Sequence, residues 1–325
     1  MPLRVVVAVL TYRRPQHIIE LVPMLCAQLD AARDLVARGA SGTVLVVDND
    51  PDAGAREQVE AVGDPRVRYV HEPVPGIVAG RNRALDEAGE ADVLVFIDDD
   101  ERPTPQWLPL LLTTYLESRP AGVVGPTRCV FEGEVDPWVR EGGFFDRRRL
   151  PTGSRVDVAA TNNLLLDLAR VRSLGLRFED RYAQIGGSDH EFTRRLVMGG
   201  GELVWNNEAI VDDLIPAART TSRWVTRRAY RIGTSASLVA VRLADGPRNR
   251  ALARARHVLL GGSRVGGGLV RFGVGVLTRS IGRRAAGVRN ISRGLGLMAG
   301  AFGRGYAEYR RDPSAGAPTP AQARS

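Results

Sequence analysis

Two regimes of hydrophobic and polar positions divide this chain. Through residue 120, short apolar runs at 3–10, 43–47, 67–70 and 93–97 alternate with stretches whose apolar residues recur at helical spacing. A continuous apolar run suits a strand buried on both faces, whereas three- to four-residue spacing suits an amphipathic helix. The pattern predicts strands over those four runs and helices over 18–36, 55–62, 80–88 and 107–116. Strands alternating with helices predict an α/β fold, with a mostly parallel sheet covered on both faces.

Beyond residue 120 the pattern is mixed. It predicts a strand over 121–125, a Gly-rich loop region over 131–149 and short strands over 156–160 and 163–166, for which antiparallel pairing is open. A helix over 190–199 and a strand over 202–205 follow, and there is no internal repeat. The Pro- and Ala-rich tail, 312–325, is predicted to be disordered.

Composition narrows the class. With 325 residues and 44% hydrophobic content the chain can bury a full core, which excludes a disordered protein. Cys26 and Cys129 are too few for a disulfide framework or a cysteine zinc site, so a reducing compartment is expected. His17, His71, His190 and His257 show no close ligand spacing, and the opening residues read as a first strand, not as a signal peptide.

Charge changes the picture more. Residues 1–215 carry 24 Arg against 34 acids, while 216–311 carry 20 Arg against 2. Every basic residue is Arg, which suggests codon bias, but such a bias would not strip acids from one third of the chain.

The acids concentrate at one point. The apolar run at 93–97 ends in Asp98, Asp99, Asp100 and Glu101. Like charges at a buried strand end are unfavourable unless a cation or strong donors compensate, and hard cations take oxygen ligands. A divalent Mg²⁺ or Mn²⁺ is therefore expected there; the alternative is a solvated turn in which Asp99 or Asp100 caps a helix starting near Pro105. Three further elements fall at predicted strand ends or helix starts. Asp48 and Asp50 follow the second strand and suit a base or ribose, or else form an Asp/Asn/Pro turn. Gly76, with Arg81 and Asn82 beyond it, suits a diphosphate. Gly186-Gly187-Ser188-Asp189 delivers a carboxylate before a helix, as a general base or as part of a capping box from Ser188 to Glu191.

In this order, from about Arg4 to Arg231, these elements resemble the family-2 glycosyltransferases of the GT-A fold. Residues 6–15 look like the family's opening strand and nucleotide-contacting loop, with Thr11, Tyr12 and Arg14; 46–50 are similar to its acidic base-binding turn. Residues 96–101 match its metal-binding Asp-x-Asp, and 186–189 its Glu-Asp segment, with Ser188 in place of Glu. Asp98-to-Leu108, 160–165 and 224–233 are similar to bacterial exopolysaccharide enzymes of the succinoglycan-pathway type. The resemblance implies an inverting, hexosyltransferase-like reaction with Asp189 as base. Asp100 and Asp98 would hold the metal, with Asp98 and Asp99 also beside the nucleotide sugar. The donor would be a UDP-sugar and the acceptor a glycan or lipid-linked glycan. Asn162, Asn163, Gly187, Ser188, Arg227 and Arg228 are expected near acceptor or diphosphate.

The expected organisation is a glycosyltransferase domain over 1–235, with a nucleotide-binding half to 120 and an acceptor-binding half beyond it. Basic amphipathic helices over 236–311 would follow. Arg219, Arg223, Arg227, Arg228 and Arg231 give a basic helical face beside Trp224 and Tyr230. Arg256, Arg264, Arg271 and Arg279 recur at steps of eight, seven and eight, within one sector of a helix. No stretch is long and apolar enough to span a bilayer, so an interfacial helix pair on the anionic inner face of the cell membrane is expected, with a cytoplasmic catalytic domain. A solvated basic face or oligomer contact is the alternative. The +18 region could instead attract nucleic acid, but no zinc knuckle, aromatic RNA-binding signature or helix-turn-helix pattern accompanies it. A non-catalytic nucleotide-sugar-binding homologue is disfavoured by the intact acids.

Overall fold

A computed structural model describes residues 3–35, 42–182 and 186–303. The chain runs β1 (Val5–Thr11), α1 (Pro15–Ala31), β2 (Thr43–Asp48), α2 (Arg56–Glu60), β3 (Val67–His71), α3 (Ile77–Glu87) and β4 (Val93–Asp98). Next come β5 (Glu101–Pro103), α4 (Trp107–Ser118), β6 (Gly122–Val124), β7 (Thr127–Phe131), α5 (Pro137–Glu141), β8 (Arg155–Val156), β9 (Asn163–Asp167) and α6 (Leu168–Ser173). Then follow α7 (Ser188–Met198), β10 (Leu203–Trp205), β11 (Val211–Ile215), α8 (Ser222–Arg242), α9 (Gly246–Leu277) and α10 (Ile281–Ala301).

An eight-stranded sheet in the order β3-β2-β1-β4-β9-β6-β10-β8 forms the centre. β9 runs antiparallel to both β4 and β6, and β8 antiparallel to β10; the remaining neighbours are parallel. The apolar runs explain why the sheet is covered twice. Val5, Val7 and Val9 face a core shared with α1 and α4, while Val6 and Ala8 face a second core shared with α3 and α7. Successive side chains point to opposite faces, so a run without polar interruption supplies both layers.

A small second sheet, β5-β11-β7, lies beside the first. The sequence pattern did not predict it, because β7 alternates half-buried and exposed positions and β5 is three residues long. The 131–149 region also holds a helical turn, α5, whose Asp136 caps the Trp138 N–H. The expected strand at 156–160 shrinks to β8, which pairs with β10 and not with β9. The helix expected from residue 80 begins at Ile77, because Gly76 with φ 134° makes the turn into it. The helix expected to reach residue 36 ends at Ala31, and residue 36 itself lies outside the described residues, as does the 312–325 tail.

Among the described residues the basic third holds three α-helices. α8 runs unbroken through residue 235, the expected domain boundary, and packs on α5 and α10 through Val225, Ala229, Phe144 and Ala285. α9 and α10 lie against each other along glycines: a Cβ at Gly268 would sit 2.9 Å from the Gly287 carbonyl oxygen, and one at Gly261 2.7 Å from that of Gly294. Gly261, Gly268 and Gly275 are the only buried residues of α9. Most of the remaining helix surface is open, with Leu259 74% and Leu277 86% exposed. Arg279 lies past the end of α9, so the expected four-arginine sector keeps Arg256, Arg264 and Arg271 on that helix. No helix among the described residues is long and apolar enough to cross a membrane.

Candidate active site

Register fixes the site. Leu10 pairs with Asp98 and Thr11 with Asp48, so β1, β2 and β4 end on one rim. β2 and β4 flank β1, the place where the strand order reverses and where open α/β sheets bind ligands. A cleft of about 1690 Å³ opens there, with Thr11, Tyr12, Arg14, Asp98, Asp99 and Asp100 on one side and residues of α8, α9 and α10 on the other. A separate groove of about 790 Å³ between α1 and α2 contains none of the predicted site residues.

The four acids have different surroundings. Asp99 is buried, accepting from Thr11 Oγ1 at 3.1 Å and Arg14 Nη1 at 3.0 Å. Asp100 accepts from Arg14 Nη1 at 3.1 Å and Arg219 Nη1 at 3.0 Å. Buried Glu101 accepts from the Asp98 N–H at 3.1 Å and from Asn162 Nδ2 at 2.6 Å, so it braces the turn. Burial, with the Asp98 charge added, holds the Glu101 carboxyl well above its ordinary range. Neither Asp99 nor Asp100 caps a helix, since α4 starts at Trp107 behind Gln106 with no side-chain cap, and β5 intervenes.

Asp98 differs from its neighbours. Its carboxylate accepts no hydrogen bond from the described residues and lines the cleft. Burial raises its pKa to about 7; the Asp100, Asp99 and Asp189 charges add to this and the Arg81 charge opposes it. A carboxylate so placed gains from a cation. Among the described residues no group of three or more His, Cys, Asp or Glu is arranged as a metal cage. The donors fit a hard divalent ion held by one or two carboxylates and completed by phosphate oxygens, with Asp98 and Asp100 as the protein's share. Arg14 and Arg219 would then have to release Asp100.

The loops over the rim are tied by an unexpected residue. Asp48 is fully buried and accepts from the Asp50 N–H, the Ala55 N–H and Tyr69 Oη at 2.9–3.0 Å, which satisfies its carboxylate inside its own turn. Asp50 pairs with Arg13 at 3.4 Å. Neither carboxylate is among the cleft-lining groups, whereas Asn49 is. Asn49 Nδ2 donates to the Glu72 and Val74 carbonyls, and its Oδ1 accepts from the Gly76 N–H, joining the second strand's turn to the Gly76 loop. Arg13, with φ 55°, turns the chain so that it reaches Asp50 while Arg14 reaches Asp99 and Asp100. Asn82, expected at the nucleotide, instead clamps the Phe178 backbone N–H and C=O at 2.9 Å.

Arg81 connects the two acidic elements. It is buried, donates to Ser188 Oγ at 2.7 Å and stacks over Phe178. Its charge acts on both Asp98 and Asp189. Ser188 is therefore not an N-cap: Gly187, with φ 91°, precedes α7, no side chain caps it, and the expected capping box is absent. Gly187 packs against Ser235 and Val239 of α8 instead of facing the cleft. Asp189 lines the cleft and accepts from the His190 N–H at 2.9 Å. Burial alone would raise its carboxyl, but the His190 and Arg81 charges and backbone N–H groups outweigh this and hold it below its ordinary value.

The remaining expected residues divide. Asn162 lines the cleft, but Asn163 is buried in β9, accepting from Trp107 Nε1 and donating to the Pro126 and Ala209 carbonyls. Arg228 lines the cleft over Phe145 and Trp224, and desolvation, with the Arg147 and Arg231 charges, lowers its pKa to about 10. Arg227 is exposed and outside the cleft. Sequence reading missed Asn49, the Arg147–Asp213 pair that also holds Cys129 Sγ at 3.2 Å, and Arg219 as the partner of Asp100. An arginine-rich sequence gives no sign of which arginine crosses 119 residues to meet a given acid.

Comparison with known proteins agrees with this geometry. The Glycosyl transferase family 2 model matches residues 6–170. The succinoglycan biosynthesis protein ExoM of Rhizobium meliloti (strain 1021) is 30% identical over 267 residues, covering 81% of this chain and 82% of that protein. The crystal structure of S. aureus TarS 1-349 superposes with a TM-score of 0.52 at 16% identity, over 78% of this chain and 68% of that one. Its complex with UDP-GlcNAc gives 0.53 at 16% identity, over 78% and 70%. At such identity the likeness speaks for the fold, which is GT-A. Family match, sequence relative and site geometry lead to one conclusion: this chain is a glycosyltransferase and belongs to family 2.

Proposed function

We propose that this enzyme transfers a sugar from a UDP-sugar to a hydroxyl of a glycan or lipid-linked glycan, with inversion and with a divalent metal, in exopolysaccharide synthesis. The observation that carries the reading is the placement of Asp189 and Asp98 on one cleft with Arg81 acting on both. ExoM's name supports the pathway, and the TarS complex with UDP-GlcNAc supports the donor class.

Asp189 accepts the acceptor's proton as its oxygen bonds to the anomeric carbon, while the bond from that carbon to the diphosphate oxygen breaks on the opposite face. A carboxyl held below its ordinary value is ionised and ready to do this at neutral pH. Asp98 and Asp100 would hold a divalent ion, which would supply positive charge to the departing diphosphate. Arg14 and Arg219, which the structure pairs to Asp100, would add positive charge at the same end of the cleft. Thr11, Tyr12 and Asn49 border the nucleotide, Gly76 leads into its helix, and the Arg81 charge favours the ionised form of both Asp98 and Asp189.

The donor half runs to about residue 120 and the acceptor half beyond it, with α8 continuing past residue 235 and α9 and α10 closing the far wall of the cleft. Residues 236–311 also lie on an anionic membrane surface, the exposed Leu259, Leu269, Val270 and Leu277 of α9 entering the interface beside its arginines. The catalytic test is Asp189→Asn: transfer is lost while UDP binding persists. Near-normal turnover would sink the assignment. Deleting 246–325 should move the protein from membrane to soluble fractions; unchanged partition would count against the surface role.

A further inference from the structure

The far wall of the cleft holds charge that the donor chemistry does not use. Arg264 of α9 and Arg289 and Arg293 of α10 line it together with Asn290. Their acidic company among the described residues is slight. Arg289 meets Asp146 at 3.3 Å, and that carboxylate is 77% exposed; Arg264 and Arg293 form no ion pair with any described residue. The charges that act on Arg293 are Arg264 and Arg289, which with desolvation lower its pKa below the ordinary value. None of the three is among the charges acting on Asp98, where Arg81 and the neighbouring acids dominate. The arginines of the acidic rim, Arg14 and Arg219, are by contrast each paired to Asp100. The cleft thus has two electrostatic ends.

Three guanidiniums with one exposed carboxylate between them repel one another until an anion joins them. One guanidinium fork satisfies a carboxylate, so a cluster of three suits the several oxygens and multiple charge of phosphate or diphosphate. The glycine contacts at Gly261, Gly268 and Gly287 let α9 and α10 approach closely enough for both helices to face one wall. We propose that Arg264, Arg289 and Arg293 form a second anion subsite, distinct from the donor end, that grips a phosphoryl group carried by the acceptor. The acceptor part of this rests on the transferase reading above; the subsite itself does not need it.

The test is calorimetric titration of the full chain with farnesyl diphosphate in EDTA, with farnesol and inorganic pyrophosphate as partner probes. Leaving metal and donor out separates a failure of the subsite from a failure of the transfer mechanism. Farnesyl diphosphate should bind, pyrophosphate should compete with it, and farnesol should not bind. The double variant Arg289→Ala/Arg293→Ala should weaken farnesyl diphosphate by about tenfold or more, the effect of losing charge-assisted contacts. Its affinity for UDP with Mn²⁺ should stay within about twofold, since those residues are outside the donor end. Arg14→Ala/Arg219→Ala should show the reverse. Arg289→Lys/Arg293→Lys, with an unchanged melting temperature, separates charge from folding and should retain part of the binding. Unchanged farnesyl diphosphate affinity in the alanine double variant would overturn the proposal. So would an equal loss on phosphatidylcholine vesicles containing phosphatidylglycerol, which would make the arginines a general membrane contact.

Discussion

The acidic rim and the basic helices hold their charges in opposite ways. At the rim, strand register brings Asp98, Asp99, Asp100 and Glu101 together, and internal donors (Thr11, Arg14, Arg219, Asn162) answer all but Asp98. In the C-terminal third, position comes from glycine contacts between α9 and α10, and Arg264 and Arg293 face the cleft with no ion pair among the described residues. The difference teaches where each region depends on something outside the chain. Among the described residues the rim pairs every acid but Asp98, whereas the helices leave Arg264 and Arg293 without an acidic partner and an apolar face of α9 exposed.

The sharpest break in that comparison is at the proposed base, Asp189. Asp189→Asn should lower kcat by about a thousandfold, within the usual worth of a positioned general base, with UDP affinity little changed. Steady-state kinetics and calorimetry on the same variant check both halves. Asp100→Ala should abolish the metal dependence of UDP binding, read by titration with and without Mn²⁺.

Next in size is the helix contact. Gly268→Leu places a branched side chain where a Cβ already meets the Gly287 carbonyl oxygen at 2.9 Å, and should cost about 1–3 kcal/mol. Hydrogen exchange should place the loss of protection in α9 and α10, leaving β1 and β4 unchanged.

A pH series sharpens the rim. With EDTA present, Asp98 holds its proton up to about pH 7, whereas the unfolded chain releases it near pH 4. The native state binds more protons in that window, so stability falls as pH rises through it. The melting temperature should drop between pH 5 and 8, and Mn²⁺ at pH 8 should recover it. A flat profile in EDTA would show that Asp98 is compensated by the protein alone. The smallest effect is on the open side of α9, where a Cβ added at Gly262 or Gly266 would meet open space. Ala at either should stabilise by up to about 1 kcal/mol, opposite in sign to Gly268→Leu.

The same contrast explains what could be read from sequence. Continuous apolar runs marked β1, β2 and β4, and an acid run at a strand end marked the site, because burial and charge cost are written in consecutive residues. The second sheet was illegible: β5 and β11 pair through Glu101–Asp213 and Arg102–Asp212, a register no local pattern encodes. Asn49 was passed over for its acidic neighbours, since three hydrogen bonds to another loop leave no trace in spacing. Ser188 looked like a cap because Glu191 follows three residues later; its hydroxyl is instead taken by Arg81, 107 residues away.

The glycine seam has a consequence for how the molecule comes apart. Three buried glycines withdraw little apolar surface from water, and four more glycines on the open side of α9 weaken the helix itself. α9 is therefore joined to α10 by a close glycine seam and a few side chains beside it, such as Val265 and Phe272, while the central sheet is locked by two cores. In water it should be the first segment to open, a separate unit of local unfolding whose amides exchange well before those of the strands. An apolar surface laid along its exposed leucines would close that opening, so the same helix would report, through its exchange rate, whether the protein is in solution or docked.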